Sequence, residues 1–157
     1  MILAILREFK LLSESETTAF MDAFGEYLGR NGISQTQWDQ MNRDDRSTAE
    51  RIFHLFSLSA LEEVIGRIEC LELRAPRLAT FMMPSDSGFR MITVASDNSN
   101  YDLTSESSLL ENADNEAVLS ERPYLVSRTS DVMELAIRGF RPCEAGLFRR
   151  LEKRIPR

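Results

Sequence analysis

Cysteine, histidine and lysine are scarce in this chain of 157 residues, and each scarcity removes a class of function. The two cysteines, Cys70 and Cys143, lie far apart in sequence and outline neither a disulfide framework nor a zinc site. His54 is the single histidine, so a metal cluster or an acid-base pair built on imidazole lacks partners nearby; the closest acid in sequence is Glu50, one helical turn back. Lys10 and Lys153 are the only lysines, and neither falls among the β-prone runs. A nuclease core of two acids and a lysine around a divalent metal therefore has no lysine to use. Seven glycines form no Gly-x-Gly-x-x-Gly or Gly-Lys-Ser/Thr loop, and no Gly-x-Ser-x-Gly or Ser-x-x-Lys occurs. Apolar runs are short of the eighteen or so residues of a membrane helix, and MILAILREFKLL has no basic region ahead of its apolar residues, which argues against a secretory signal. These absences predict a cytoplasmic protein with no membrane span, metal or cofactor, and weigh against an enzyme.

What is present suits a single α+β domain over residues 1–157, because 43% hydrophobic residues at this length suffice to bury a sizeable core. A net charge of -6 opposes indiscriminate attraction to nucleic acid or anionic membrane. That charge is segregated. Arg138 to Arg157 holds seven basic residues and two acidic ones, so the rest of the chain is strongly acidic.

Helix starts are marked by Ser-x-x-Glu/Gln, in which each side chain satisfies a backbone donor at the other end: Ser13 with Glu16, Ser34 with Gln37, Ser47 with Glu50. Phe20, Ala23, Phe24, Tyr27 and Leu28 recur at helical spacing after the first, and Gly29 to Gly32 ends that run. A short helix from Gln35 carries Trp38 and Met41, and the next has Ala49, Ile52, Phe53 and Phe56 on its apolar face. Leu58, Leu61, Val64, Ile65, Ile68 and Leu71 predict a fourth helix running towards Pro76. Two β-prone runs then flank Pro84-Ser85-Asp86-Ser87-Gly88, a hairpin composition. A polar, acidic stretch with one helix near Thr104 leads to a third strand at Arg122 to Ser127. Ser130 or Asp131 is placed to cap a further helix, Gly139 to end it, and Pro142 fits the first turn of the last. The expected fold is a helical N-terminal half, a small three-stranded mixed sheet with a hairpin, and a C-terminal helix pair.

Arg150, Lys153, Arg154 and Arg157 follow i, i+3, i+4, i+7, with Arg149 beside them, so one face of the last helix is basic while Cys143, Leu147, Leu151 and Ile155 form an apolar one. Cations near a helix C-terminus also complement its dipole, and a DNA-reading helix places its contacts nearer its N-terminus, where Pro142, Cys143, Glu144 and Ala145 stand. Cys143 beside Arg141 reads as reactive or, by its place on the apolar stripe, as packed. Asp97 to Asp102 resembles a calcium loop but lacks its glycine and its bidentate acid. Glu62, Glu63, Glu69 and Glu72 read as the wet face of a helix.

Phe56 to Glu72, FSLSALEEVIGRIECLE, resembles the central segment of a family of short Bacteroidetes-lineage bacterial proteins, a domain of unknown function. Trp38, Phe56, Ser57, Glu62, Glu63, Leu71 and Glu72 stand at matching places. The resemblance implies a bacterial cytoplasmic protein and an α+β layout, and carries no activity. Three functions are open. The first is a non-catalytic protein-interaction protein using Arg149, Arg150, Lys153, Arg154 and Arg157 as its contact surface, with self-association as a variant in which the acidic stretch Asp97 to Glu121 meets the basic helix of a second copy. The second is an enzyme or small-ligand site built from His54, Glu62, Glu63 and Arg90. The third is nucleic-acid binding through the last two helices.

Overall fold

The computed structural model describes residues 12–156. Residues 1–11, which carry the reading against a secretory signal, and Arg157, the last member of the basic stripe, lie outside these. The chain divides into two compact units between Ile65 and Gly66.

In the first unit, helix α1 (Glu14–Arg30) opens with a closed capping box: Ser13 Oγ accepts from Glu16 N at 3.2 Å, and the Glu16 carboxylate accepts from Ser13 N at 2.9 Å. Gly32, at φ 71°, lets the chain turn out of the helix in a conformation that side chains disfavour. Helix α2 (Gln35–Asp44) repeats the device with Ser34 and Gln37. Helix α3 (Arg46–Ala60) begins earlier than expected, capped by Asp45, whose carboxylate accepts from Thr48 N, and not by Ser47. The spacing of aromatics along α1 and α3 brings their rings together. Phe24 lies edge-on to Trp38 at 5.1 Å and to Phe53 at 4.9 Å, and Phe20 meets Phe56 at 5.2 Å. Such pairs each add about 0.5–1.5 kcal/mol to the burial of their surface. The short helix α4 (Glu62–Gly66) completes the N-terminal helices.

The second unit holds one antiparallel five-stranded sheet in the order β4-β3-β2-β1-β5, made from β1 (Cys70–Arg74), β2 (Leu78–Pro84), β3 (Gly88–Ala95), β4 (Ala117–Pro123) and β5 (Arg141–Cys143). The fold is α+β, but the expected three-stranded mixed sheet is wrong, as is the simple C-terminal helix pair. The pattern Leu58 to Leu71 does not make one helix. It stops at Gly66, and Cys70 and Leu71, facing opposite sides of the sheet, are both fully buried in β1. Leu71, Glu72, Leu73 and Arg74 do alternate, but over four residues only, and Ile68 and Leu71, three apart, continue the preceding helical spacing into the strand. The third strand is Ala117–Pro123, earlier than the expected Arg122 to Ser127; Leu125 and Val126 are 81% and 79% exposed in a loop. Between helix α6 (Arg128–Ile137) and helix α7 (Ala145–Arg154) the chain forms β5, so Pro142 sits in an edge strand opposite Leu71 and not in a helical first turn.

One sheet face carries Cys70, Ala79, Phe81, Ile92 and Val94. Helix α5 (Glu106–Glu116) and α7 pack on it through Leu109, Ala113, Leu147, Phe148 and Leu151. The other face carries the buried Leu71, Met82 and Phe89. Asp131, the expected cap of α6, is instead a buried anchor. Its carboxylate accepts from the backbone of Leu125, Val126 and Ser127 at 2.7, 3.1 and 3.4 Å, while Ser127 caps the helix. Gly139, at φ 100°, follows the end of α6. Among the described residues, no helix is long and apolar enough to cross a membrane.

Candidate functional site

The periodicity that makes α7 amphipathic also splits its cations into two rows. Arg150 and Arg154, four residues apart, face α5: Arg150 pairs with Glu106 at 2.7 Å, and Arg154 reaches Asp114 at 3.4 Å and the Leu110 carbonyl at 3.2 Å. These pairs are about half exposed, so each contributes under about 1 kcal/mol. Their consequence is electrostatic. Half of the basic stripe is neutralised by the acidic helix of the same chain.

Arg149 and Lys153, also four apart, point the other way and have no ion-pair partner among the described residues. They form one wall of an open groove of about 1130 Å³ between α7 and the edge strand β4. Met83, Ala117 and Leu119 line its apolar part. Arg90 of β3 also lines it, but its guanidinium is paired with Glu152 of α7 and lies 5.9 Å from the centre of the Phe148 ring. That pairing leaves Glu121, the residue directly opposite Arg90 on β4, without an ion pair among the described residues. Val118 and Leu119 of β4 are 63% and 39% exposed, a large apolar share for an edge strand. Sequence reasoning missed β4 because AVLSERP is a short run inside a long polar, acidic stretch.

The other candidates are placed as follows. His54 is half-buried in α3, and Glu62 and Glu63 are consecutive exposed residues in the first turn of α4. Arg90 belongs to the second unit and already has Glu152 and Phe148 as partners. Cys143 is opposite Cys70 in the β1–β5 ladder, and the neighbouring Cys70 side chain, followed by burial, pushes the Cys143 thiol well above its ordinary range. A thiol so held is protonated at neutral pH and a poor nucleophile. The Asp97 to Asp102 loop satisfies itself: Asp102 accepts from Thr104 N and Oγ1, Asn98 Oδ1 accepts from Asn100 N, and Arg77 donates to the Asn98 and Tyr101 carbonyls. Glu72 is paired with Arg74 at 2.9 Å. No three His, Cys, Asp or Glu side chains among the described residues converge in a way that would hold a metal ion.

The site is thus a sheet edge beside an amphipathic helix, with cations along one wall of the groove and apolar residues below. Neither a curated protein nor a solved structure matches the chain. One family does: the model described as "Family of unknown function (DUF6495)" matches residues 7–156, nearly the whole length, and the protein belongs to that family.

Proposed function

We propose that this protein is a non-catalytic binding protein whose groove between α7 and β4 receives an extended, carboxylate-bearing segment of a protein. The observation that carries this is the uncompensated pair Arg149 and Lys153 beside an exposed apolar edge strand. Backbone groups of an edge strand give affinity to any added strand, and charge beside it selects which one. The groove is a narrower surface than the whole basic stripe, because Arg150 and Arg154 are engaged by α5.

The test uses a fluorescein-labelled peptide alternating glutamate and valine, followed by fluorescence anisotropy. Arg149→Glu with Lys153→Glu should weaken its binding at least about tenfold, since each reversed charge replaces attraction by repulsion. Arg150→Glu with Arg154→Glu, on the same helix, should weaken it far less. Equal losses from the two doubles, or no binding by the parent protein in its monomeric state, would remove the groove from consideration.

Nucleic-acid binding draws less support, since half of the basic stripe is neutralised within the chain and Glu144 stands at the N-terminus of α7. A small-ligand site of His54, Glu62, Glu63 and Arg90 is weakened by the prior engagement of Arg90. A bacterial cytoplasm is part of the proposal. Its support is the resemblance of Phe56 to Glu72 to the central segment of short Bacteroidetes-lineage proteins.

A further inference from the structure

The backbone of β4 has a parity that restricts what can be added to it. Tyr124 N donates to Ser87 O, one step beyond the Gly88–Pro123 pair, and the Arg122 carbonyl is directed at Gly88. Hydrogen-bonded and non-hydrogen-bonded pairs alternate along an antiparallel ladder. Val118, Ser120 and Arg122 therefore turn their N–H and C=O groups to β3, whereas Ala117, Leu119, Glu121 and Pro123 turn theirs outward. Pro123, with no N–H to offer, sits at an outward position, where a proline leaves the ladder intact.

Resting on the groove reading above, we infer that the segment it receives is β4 of a second copy of this chain, paired antiparallel about a twofold axis at Ser120. This is the register of full overlap for a strand running from Ala117 to Pro123, and it sets outward-facing residues against outward-facing residues. Leu119 and the partner's Glu121 exchange backbone hydrogen bonds in both directions, once on each side of the axis. Ser120 meets the partner's Ser120 in a non-hydrogen-bonded pair, where Cα atoms approach to about 4.5 Å and a small side chain fits. The exposed Val118 is covered by the aliphatic stem of the partner's Arg122.

Charge selects this occupant. Paired residues share a sheet face with Cβ atoms about 4.5–5.5 Å apart, so the partner's Glu121 lies beside Leu119, a residue that lines the groove together with Arg149 and Lys153. The unpaired carboxylate of each copy thus meets the unpaired cations of the other. The twofold makes the exchange reciprocal and closes the assembly at two chains.

Sedimentation equilibrium on the full chain tests this. The parent protein should have twice the mass of one chain, with dissociation favoured by salt. Glu121→Pro removes an outward N–H and should give a monomer with an unchanged far-ultraviolet circular dichroism spectrum. Glu121→Lys should raise the dimer dissociation constant at least about tenfold, and adding Arg149→Glu and Lys153→Glu should recover most of that loss by swapping the charges. A parent protein that stays monomeric up to about millimolar concentration, a Glu121→Lys dimer as tight as the parent, or a charge swap that restores nothing would each overturn the inference. If Glu121→Pro does not fold, the charge swap decides alone. A monomeric parent that still binds the glutamate–valine peptide through Arg149 and Lys153 would sink self-pairing and leave the groove reading standing; loss of both would sink both.

Discussion

Gly88 begins β3 at a close approach to the backbone of β4. A Cβ built there would lie 2.2 Å from the Arg122 carbonyl oxygen and 2.7 Å from Pro123 Cα. Both neighbours are backbone, so relief requires the β3–β4 ladder to shift, in contrast to a collision with a flexible side-chain end. Gly88→Ala should destabilise the protein by about 1–3 kcal/mol, the range for overpacking at a site that cannot yield, read from the midpoint of urea unfolding. An unchanged midpoint would mean that β4 is held less tightly against β3 than this approach implies. At the same scale, Arg90 shows how one side chain sets the chemistry of its neighbours. By pairing with Glu152 it takes itself out of the groove's free charge and leaves Glu121 available.

Elements were legible where their signals are local. Two capping boxes and the aromatic spacing of α1 and α3 depend on residues three or four apart, and they stand where the sequence places them. The loop between β4 and α6 shows the opposite case. Tyr124, Leu125 and Val126 have strand character, yet Leu125 and Val126 are exposed because the buried Asp131 binds the amides of Leu125, Val126 and Ser127 and turns the chain into α6. Asp131→Ala would leave three donors without their acceptor and should cost about 2 kcal/mol, within the range for hydrogen bonds to a charged group. Asp131→Asn, which keeps one acceptor oxygen, should lose less. Thermal unfolding of the two variants checks the order, and equal melting temperatures would deny the carboxylate this role. β5 was illegible for a related reason: three residues including a proline become a strand only because β1 offers them an edge.

For the molecule as a whole, titration bounds the stable range from both sides. Hydrogen bonds from the Thr48 side chain and backbone lower the Asp45 pKa, and those from Thr104 lower that of Asp102. A carboxylate depressed in the folded state stabilises it above the ordinary carboxylate range and ceases to do so as pH falls through the lowered value. Cys143 is raised by Cys70 and burial, and Tyr124 by burial. For these the sign reverses: the unfolded chain releases its protons above about pH 8.5 and 10 while the folded chain retains them, so stability is complete below those values and declines above. Melting temperature should therefore be level between about pH 4 and 8.5 and fall on either side. Cys143→Ala should flatten the first part of the alkaline decline and leave the part belonging to Tyr124. A parent melting temperature that is constant from about pH 8.5 to 10.5 would contradict this account.

The sequence by itself determined the N-terminal helices, the hairpin turn composition, the amphipathic face of α7 and the segregation of charge, because each follows from spacing within a few residues or from composition. It also placed Arg149, Arg150, Lys153 and Arg154 on one helix. Only the tertiary structure decided that Arg150 and Arg154 are engaged by Glu106 and Asp114 while Arg149 and Lys153 are not. It alone made β4 and β5 the two edges of a five-stranded sheet and set Cys70 opposite Cys143. The physical reason is range. Helix hydrogen bonds close over four residues and can be read locally, whereas strand partners and the neutralisation of a charge depend on groups that lie several elements away along the chain and are brought together only by burying the core between them.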